Sequence, residues 1–296
     1  MKILRTVGEV RAALAQPRRA ADSIGLVPTM GAFHDGHLSL IRRAREQCDV
    51  VVVWLFVNPA QFNDSGDLEI YPRDEERDAA LARELGVDYL FAPSVAEVYP
   101  AGFASTISVS GLTERLEGEH RGVSHFAGVT TVVAKMFNMV GPDVAYFGQK
   151  DAQQAAVVSR MVRDLDMPVR IELCPTVRAA DGLALSSRNA LLSGHDRRRA
   201  TALYRALEAV KSAVEAGQRD PATAIDAGLG ELTAEGIEPD YLELVAPETM
   251  APVASLDGDV LAVVAARLGE IRLIDNTTIH VLSTAPAAGS VTSGRA

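Results

Sequence analysis

The chain has 296 residues, of which 48% are hydrophobic, with a formal charge of −10 and a pI near 5.1. That length allows two domains or one large one, and the apolar share is enough for a sizeable core. The acidic balance argues against a nucleic-acid or anionic-membrane protein, which needs a net basic face, but leaves room for a small anionic ligand held by a few local cations.

In chain order, 24–29 reads as a strand and 37–47 as a helix. Residues 50–57 form a continuous apolar run, the pattern of a strand buried on both faces. Residues 74–85 are amphipathic and stop at Gly86, a helix ending in a helix-breaking residue. Short strands are expected at 89–92 and 106–109. A helix at 128–140, a strand at 144–147, a helix at 152–164 and a strand at 169–173 complete the first part. This alternation predicts an α/β fold with an open, mostly parallel sheet and helices on both faces. In such sheets ligands gather at the carboxyl ends of the strands, so the loops after Val27, Val57 and Phe147 are the places to look. Beyond Pro175 the rhythm changes to helices at 195–216 and 221–234, then strands at 241–245, 260–267 and 271–282. Helices followed by consecutive strands predict a smaller α+β domain. The expected division is therefore 1–175, 176–284 and a disordered, Ala/Gly/Ser/Thr-rich tail at 285–296.

Two cysteines, Cys48 and Cys174, make neither a disulfide framework nor a zinc cluster, and buried thiols in a reducing compartment are expected. The chain shows no signal-peptide pattern and no apolar run of membrane-spanning length, so a cytoplasmic location is expected.

Pro28-Thr29-Met30-Gly31-Ala32-Phe33-His34-Asp35-Gly36-His37 carries the most information. A strand ends in a glycine-bearing turn with two histidines at the mouth of a helix. The helix offers unpaired N–H groups and the positive end of its dipole, which suits a phosphate. A pair of metal ligands is the competing reading. Spacing of three allows it, but no third ligand is organised nearby, and His120 and His125 lie in no such motif. Phe147-Gly148-Gln149-Lys150-Asp151-Ala152-Gln153-Gln154 repeats the strand-to-helix pattern. Lys2, Lys135, Lys150 and Lys211 are the only lysines, so one inside a motif is selective. Lys150 is a mobile charge suited to phosphate, Asp151 is placed to cap the helix, and Gln154 follows one turn later. Leu185-Ser186-Ser187-Arg188-Asn189 combines two hydroxyls with a guanidinium that can grip phosphate oxygens in pairs; a polar interdomain loop is the plainer alternative. Asn58 and Gln61, at the end of the long apolar run, are uncharged groups able to recognise hydroxyls and carboxylates in a cleft, or Asn58-Pro59 is simply a turn. No GxxxxGK[ST] loop, no GxGxxG after a strand and no GxSxG elbow is present.

Taken together, PTMGAFHDGH at 28–37, FVNPAQF at 56–62, YPRD at 71–74, LEG at 116–118, HFAGVTTVVAKMFN at 125–138, AYFGQKDAQQ at 145–154, PTVRAADGLALSSRN at 175–189, DYLELV at 240–245 and RLIDN at 272–276 resemble the pantoate–β-alanine ligase (pantothenate synthetase) family over nearly the whole chain. That family belongs to the HIGH-type nucleotidyltransferases. The resemblance implies a Rossmann-like domain with a smaller lid domain, and ATP-driven joining of pantoate to β-alanine through a pantoyl adenylate. It also implies magnesium with the ATP and a homodimer joined through the N-terminal domain. By match, His37, His34, Lys150 and Arg188 are catalytic, with His37 as proton donor. Met30, Gly31, Gly36, Gly148, Gln149, Asp151, Val177, Leu185, Ser186 and Ser187 join them around ATP. Gln61, Gln154 and Asn58 are implied for pantoate and β-alanine, and Asp78 for magnesium through water. Two departures stand out. The family's R-P-G-H-F is Arg121-Gly122-Val123-Ser124-His125-Phe126 here, with one residue inserted and the proline absent, and a common Glu before the lysine is Gln149. Competing readings are a nucleotidyltransferase acting on another acid and a nucleotide-binding regulator without catalysis.

Overall fold

Strand patterning decides the architecture. A computed structural model describes residues 1–62 and 65–281; the tail expected at 285–296 lies outside the described residues. The first part runs β1 (Lys2–Leu4), α1 (Val7–Ala20), β2 (Ile24–Thr29), α2 (Asp35–Gln47), β3 (Val50–Leu55), α3 (Ser65–Ile70), α4 (Glu75–Glu84), β4 (Tyr89–Phe91) and α5 (Val95–Val98). It continues through α6 (Glu117–Arg121), α7 (Val123–Val140), β5 (Val144–Gly148), α8 (Ala152–Asp164) and β6 (Arg170–Cys174). All six strands pair in parallel in the order β1-β4-β3-β2-β5-β6. Val50, Val52 and Trp54 of β3 pack into one apolar cluster with Val10 and Leu14 of α1 and Val133 and Phe137 of α7. Val51 and Val53 point the other way, onto Ile41 and Ala44 of α2 and Ala82 of α4. Side chains alternate across a strand, so a strand covered by helices on both sides must be apolar at every position. Burying each such valine is worth about 1.5–3 kcal/mol.

The strand order reverses at β2. That strand pairs with β3 over its whole length, from Ile24 to Thr29, but meets β5 only at Gly25 and Leu26. Beyond Leu26 the carboxyl ends of β2 and β5 part, and a crevice opens at the switch point, where doubly wound sheets take their ligands.

The second part runs α9 (Gly194–Arg199), α10 (Thr201–Glu215), α11 (Pro221–Ala234), β7 (Pro239–Val245), β8 (Gly258–Leu268) and β9 (Ile271–Val281). The three strands form an antiparallel sheet in that order. Leu203, Leu207 and Val210 of α10 and Leu232 of α11 close its core against Leu244, Val264 and Ile279.

Several expectations need correcting. Residues 106–109 are not a strand: the Ile107 N–H donates to Thr131 Oγ1 (2.9 Å) and Thr130 Oγ1 donates to the Ile107 carbonyl (2.6 Å), so α7 side chains take the bonds a ladder would have used. Helix α7 starts at Val123, not 128. Gly128 is no start signal. A Cβ there would lie 2.2 Å from the Ala60 carbonyl oxygen, and the glycine exists for that close approach. The span 195–216 is two helices joined at the buried Ala200, where Leu203 N–H donates to the Ala200 carbonyl (3.2 Å) in a tight 3₁₀-type turn. Asp151 stands at the start of α8 but makes no side-chain capping bond. The edge strand β1 was not anticipated, being only three residues long. Both cysteines are buried free thiols, as expected.

Candidate active site

The turn from β2 into α2 builds one wall. Gly31 (φ 90°) and Ala32 (φ 53°) both take left-handed backbone, a conformation costly for alanine. Asp78, at the start of α4 and buried, holds it there: its two carboxylate oxygens accept from the N–H groups of Ala32 and Phe33, 2.8 Å each. His34 then caps α2, with Nδ1 accepting from the Gly36 N–H at 3.2 Å. That bond fixes the tautomer, leaving the proton on Nε2. The His37 ring lies 4.2 Å from that of His34, centre to centre, and its Nδ1 faces the His34 N–H. Burial pushes His37 down to about 3, with the His34 charge adding to it and Asp151 opposing. Burial, then the charge of Lys150, pushes His34 down as well. Both imidazoles are therefore neutral at pH 7, and each keeps one N–H to offer an anion.

A second wall follows β5. Gln149–Asp151 form a short 3₁₀ turn into α8 that holds Lys150 in the crevice, with its Nζ 3.8 Å from Asp151 Oδ1. The third wall is a hairpin. Leu185 N–H donates to the Val177 carbonyl (3.0 Å), Ala179 N–H to Leu183 (2.9 Å), and Gly182 turns the corner at φ 90°. A Cβ at Gly182 would run into the Tyr204 ring, so only glycine fits. The hairpin delivers Ser186, Ser187 and Arg188 to the crevice, where Tyr71 also lines the wall.

These walls enclose a cavity of about 230 Å³ lined by Met30, His34, Gly36, His37, Asn58, Gln61, Gly148, Lys150, Asp151, Gln154, Val177, Leu185, Ser186, Ser187 and Arg188. A second cavity of about 550 Å³ shares Met30, Gln61, Tyr71, Lys150, Asp151, Gln154 and Ser186–Arg188 with it, and continues between the two sheets. Three widely separated stretches of sequence thus meet on one space. Three expected residues lie differently. Gly31 and Asp78 face a separate cavity of about 500 Å³. Gln149 turns its amide away, donating to Thr278 Oγ1 at 2.8 Å.

Asn58 is buried and fully engaged. Its Nδ2 donates to Gln61 Oε1 (3.0 Å) and the Gly128 carbonyl (3.1 Å), while its Oδ1 accepts from Tyr99 Oη (2.8 Å) and the Ala60 N–H (3.2 Å). It orients Gln61, whose Nε2 is left with the Met30 sulfur at 3.1 Å as its acceptor. Sulfur is a weak acceptor, so that N–H is available to a better one. The hydrophobic flank is Trp54, Phe56, Val129 and Val133.

Sequence reading missed a charged cluster on the larger cavity. The buried Glu117 carboxylate accepts from Arg121 Nε (2.7 Å), Arg272 Nη1 (2.6 Å) and Tyr241 Oη (2.9 Å). Burial works against its charge, but the Arg121 and Arg272 guanidiniums outweigh it and hold Glu117 at about 2. Arg272 also donates to Asp240 at 2.6 Å. Arg121 lies on the wall of the larger cavity, at the end of α6, where Gly122 (φ 75°) separates α6 from α7. The only signals in sequence were the LEG and RLIDN strings.

A switch-point crevice with neutral N–H donors at a helix start, a lysine and a serine–arginine strip defines a nucleotide-activating enzyme of the doubly wound α/β class. The chain belongs to the pantoate-beta-alanine ligase family, whose model matches residues 2–278. Pantothenate synthetase of Cereibacter sphaeroides is 53% identical over 277 residues, covering 94% of this chain and 99% of the relative. That of Moorella thermoacetica is 51% identical over 282 residues, covering 95% and 99%. The crystal structure of pantothenate synthetase from Thermus thermophilus superposes with a TM-score of 0.89 at 50% identity, covering 94% and 99%. The pantoate-beta-alanine ligase of Francisella tularensis, crystallised with beta-gamma ATP and beta-alanine, gives 0.78 at 33% identity, covering 94% and 97%. The chain is thus a ligase of pantothenate biosynthesis.

Proposed function

We propose that this crevice adenylates the carboxylate of pantoate with ATP and then transfers the pantoyl group to the amine of β-alanine. In the first step a carboxylate oxygen attacks the α-phosphorus and pyrophosphate leaves. In the second the amine attacks the acyl carbon, the acyl–phosphate bond breaks, AMP leaves and the amine proton passes to solvent. A carboxylate is already ionised at neutral pH, so the first step needs no general base. It needs alignment and stabilisation of charge growing on the phosphates.

The Nε2–H groups of His34 and His37 face that charge at the positive end of the α2 dipole, with His37 donating a hydrogen bond rather than a full proton in the free enzyme. Lys150, Arg188, Ser186 and Ser187 hold the triphosphate from the other two walls. Met30, Gly36, Gly148, Asp151, Val177 and Leu185 line the nucleotide. Gln61 and Gln154 bind pantoate and β-alanine, with Asn58 setting the Gln61 amide. Among the described residues no group of three or more His, Cys, Asp or Glu side chains is placed to hold a metal. A magnesium ion would be carried on the nucleotide's own phosphates and water, with Asp151 the carboxylate that lines the cavity beside Lys150. When bound, magnesium supplies charge neutralisation at those phosphates. On this reading residues 1–175 carry nucleotide and pantoate, 176–284 act as a lid, and two copies associate through the N-terminal domain. No helix among the described residues is long and apolar enough to cross a membrane, and we take the enzyme to work in the cytoplasm, without nucleic-acid partners.

The observation that carries the reading is the convergence of His34, His37, Lys150 and the Ser186–Arg188 strip on one cavity. Incubation with ATP, pantoate and magnesium, without β-alanine, should release pyrophosphate and accumulate pantoyl adenylate; later addition of β-alanine should yield AMP and pantothenate. Formation of ADP and phosphate would reject adenylation.

A further inference from the structure

Asp275 and Asn276 are neighbours on β9, in the small sheet, and are 4% exposed each. The Asp275 carboxylate grips the Arg178 guanidinium with both oxygens, 2.5 Å from Nη1 and 3.0 Å from Nη2. Arg178 belongs to the hairpin that delivers Ser186–Arg188, and its Nη2 also donates to the Asn276 carbonyl at 3.2 Å. The Asn276 side chain reaches the other wall. Its Nδ2 donates to the backbone carbonyls of both Gln149 and Lys150, 2.9 Å each. Two residues further along the same strand, Thr278 receives the Gln149 amide. One dipeptide of the small sheet therefore holds two of the three walls at once.

Asn276 is not an efficient choice for stability alone. Its Oδ1 is buried without a hydrogen-bond partner, and an unpaired buried acceptor is destabilising. What the amide does instead is fix two carbonyls whose position sets where the Lys150 side chain leaves the backbone.

We propose that Asp275 and Asn276 are positioning residues of the ligation: together they set the spacing between the Lys150 ammonium and the Ser186–Arg188 strip. The second unit thus shapes the triphosphate cradle from behind, without touching the nucleotide. This rests on the ATP site proposed above.

The test is a double-mutant cycle on ATP affinity, measured calorimetrically on the full chain with wild type, Asn276→Ala, Lys150→Ala and the double variant. Asn276→Ala should weaken ATP binding about tenfold or more and lower kcat/KM for ATP on the order of 10²-fold, as a misplacement near 1 Å does. In the Lys150→Ala background the same substitution should change ATP affinity less than about twofold, because coupled residues are not additive. Equal losses in both backgrounds, or an Asn276→Ala enzyme that binds ATP like wild type, would overturn the proposal. Should Asn276→Ala not fold, Asn276→Asp replaces it: the shape is kept and both N–H donors are lost. A wild-type chain that binds ATP but makes no pantothenate counts against the ligase reading alone, whereas one that binds no ATP counts against both.

Discussion

His37 shows how a residue's chemistry is set by its surroundings. Burial and the neighbouring His34 depress it to about 3 from an ordinary value of 6.5. The unfolded chain therefore takes up this proton before the folded one. Stability on this account is intact above pH 6.5 and is lost as pH falls toward 3. A bound phosphate reverses the local balance, since an opposite charge within a few ångströms favours the imidazolium. ATP binding near pH 6 should therefore draw protons onto the histidines. Calorimetry in buffers of differing ionisation enthalpy measures the uptake, and the difference between wild type and His37→Gln separates the imidazole from the ligand's own ionisation. Identical proton uptake in the two proteins would show that His37 stays neutral in the complex and acts only through its Nε2–H.

At the scale of the element, the β2–α2 turn depends on a residue far along the chain. Gly31 and Ala32 adopt left-handed backbone because the Asp78 carboxylate receives the next two N–H groups. Asp78→Asn replaces one acceptor with a donor facing an N–H. That should destabilise the fold by about 1–3 kcal/mol, the range for an unsatisfied buried group, and raise KM for ATP by loosening the turn that presents His34 and His37. Excess magnesium should not restore the rate. Full rescue by magnesium would instead make Asp78 a metal-binding carboxylate, as the family resemblance implied. The HDGH string made the β2–α2 turn legible because a strand, a glycine and a helix start are adjacent in sequence. Its brace was not legible, because 45 residues separate Asp78 from Phe33 and no local pattern records that contact. The partners of Asn58 were not legible either: Gly128 and Tyr99, 70 and 41 residues away, engage its amide, and no local pattern records them.

For the whole molecule, the two sheets are joined by ion pairs that sequence inspection passed over. Glu117 precedes β5 by chain order, yet Arg272 of β9 and Tyr241 of β7 close on it. Glu117 and Arg272 side chains are 8% and 10% exposed. Removing one partner of such a buried pair costs about 3–5 kcal/mol, and Arg272→Met should approach the lower figure because Arg121 still faces Glu117. With Glu117 held near 2, its contribution is present above the ordinary carboxylate range and is lost as pH falls from about 4.5 toward 2. Acid unfolding of Arg272→Met, followed by circular dichroism, should begin at higher pH than in wild type. Coincident acid transitions would show that this pair does not join the two units.

The α/β alternation, the buried central strand and the three strings that line the cavity are local properties. Periodicity and turn chemistry determine them within some ten residues, so the sequence alone was enough for the fold class and for most of the cavity lining. Which strings share a cavity, which polar groups are consumed in holding others, and how the small sheet reaches behind Lys150 are decided by contacts between residues up to 155 positions apart. Those contacts exist only once the sheet has splayed between β2 and β5 and the second unit has packed across the opening, because only then do burial and distance assign each side chain its role.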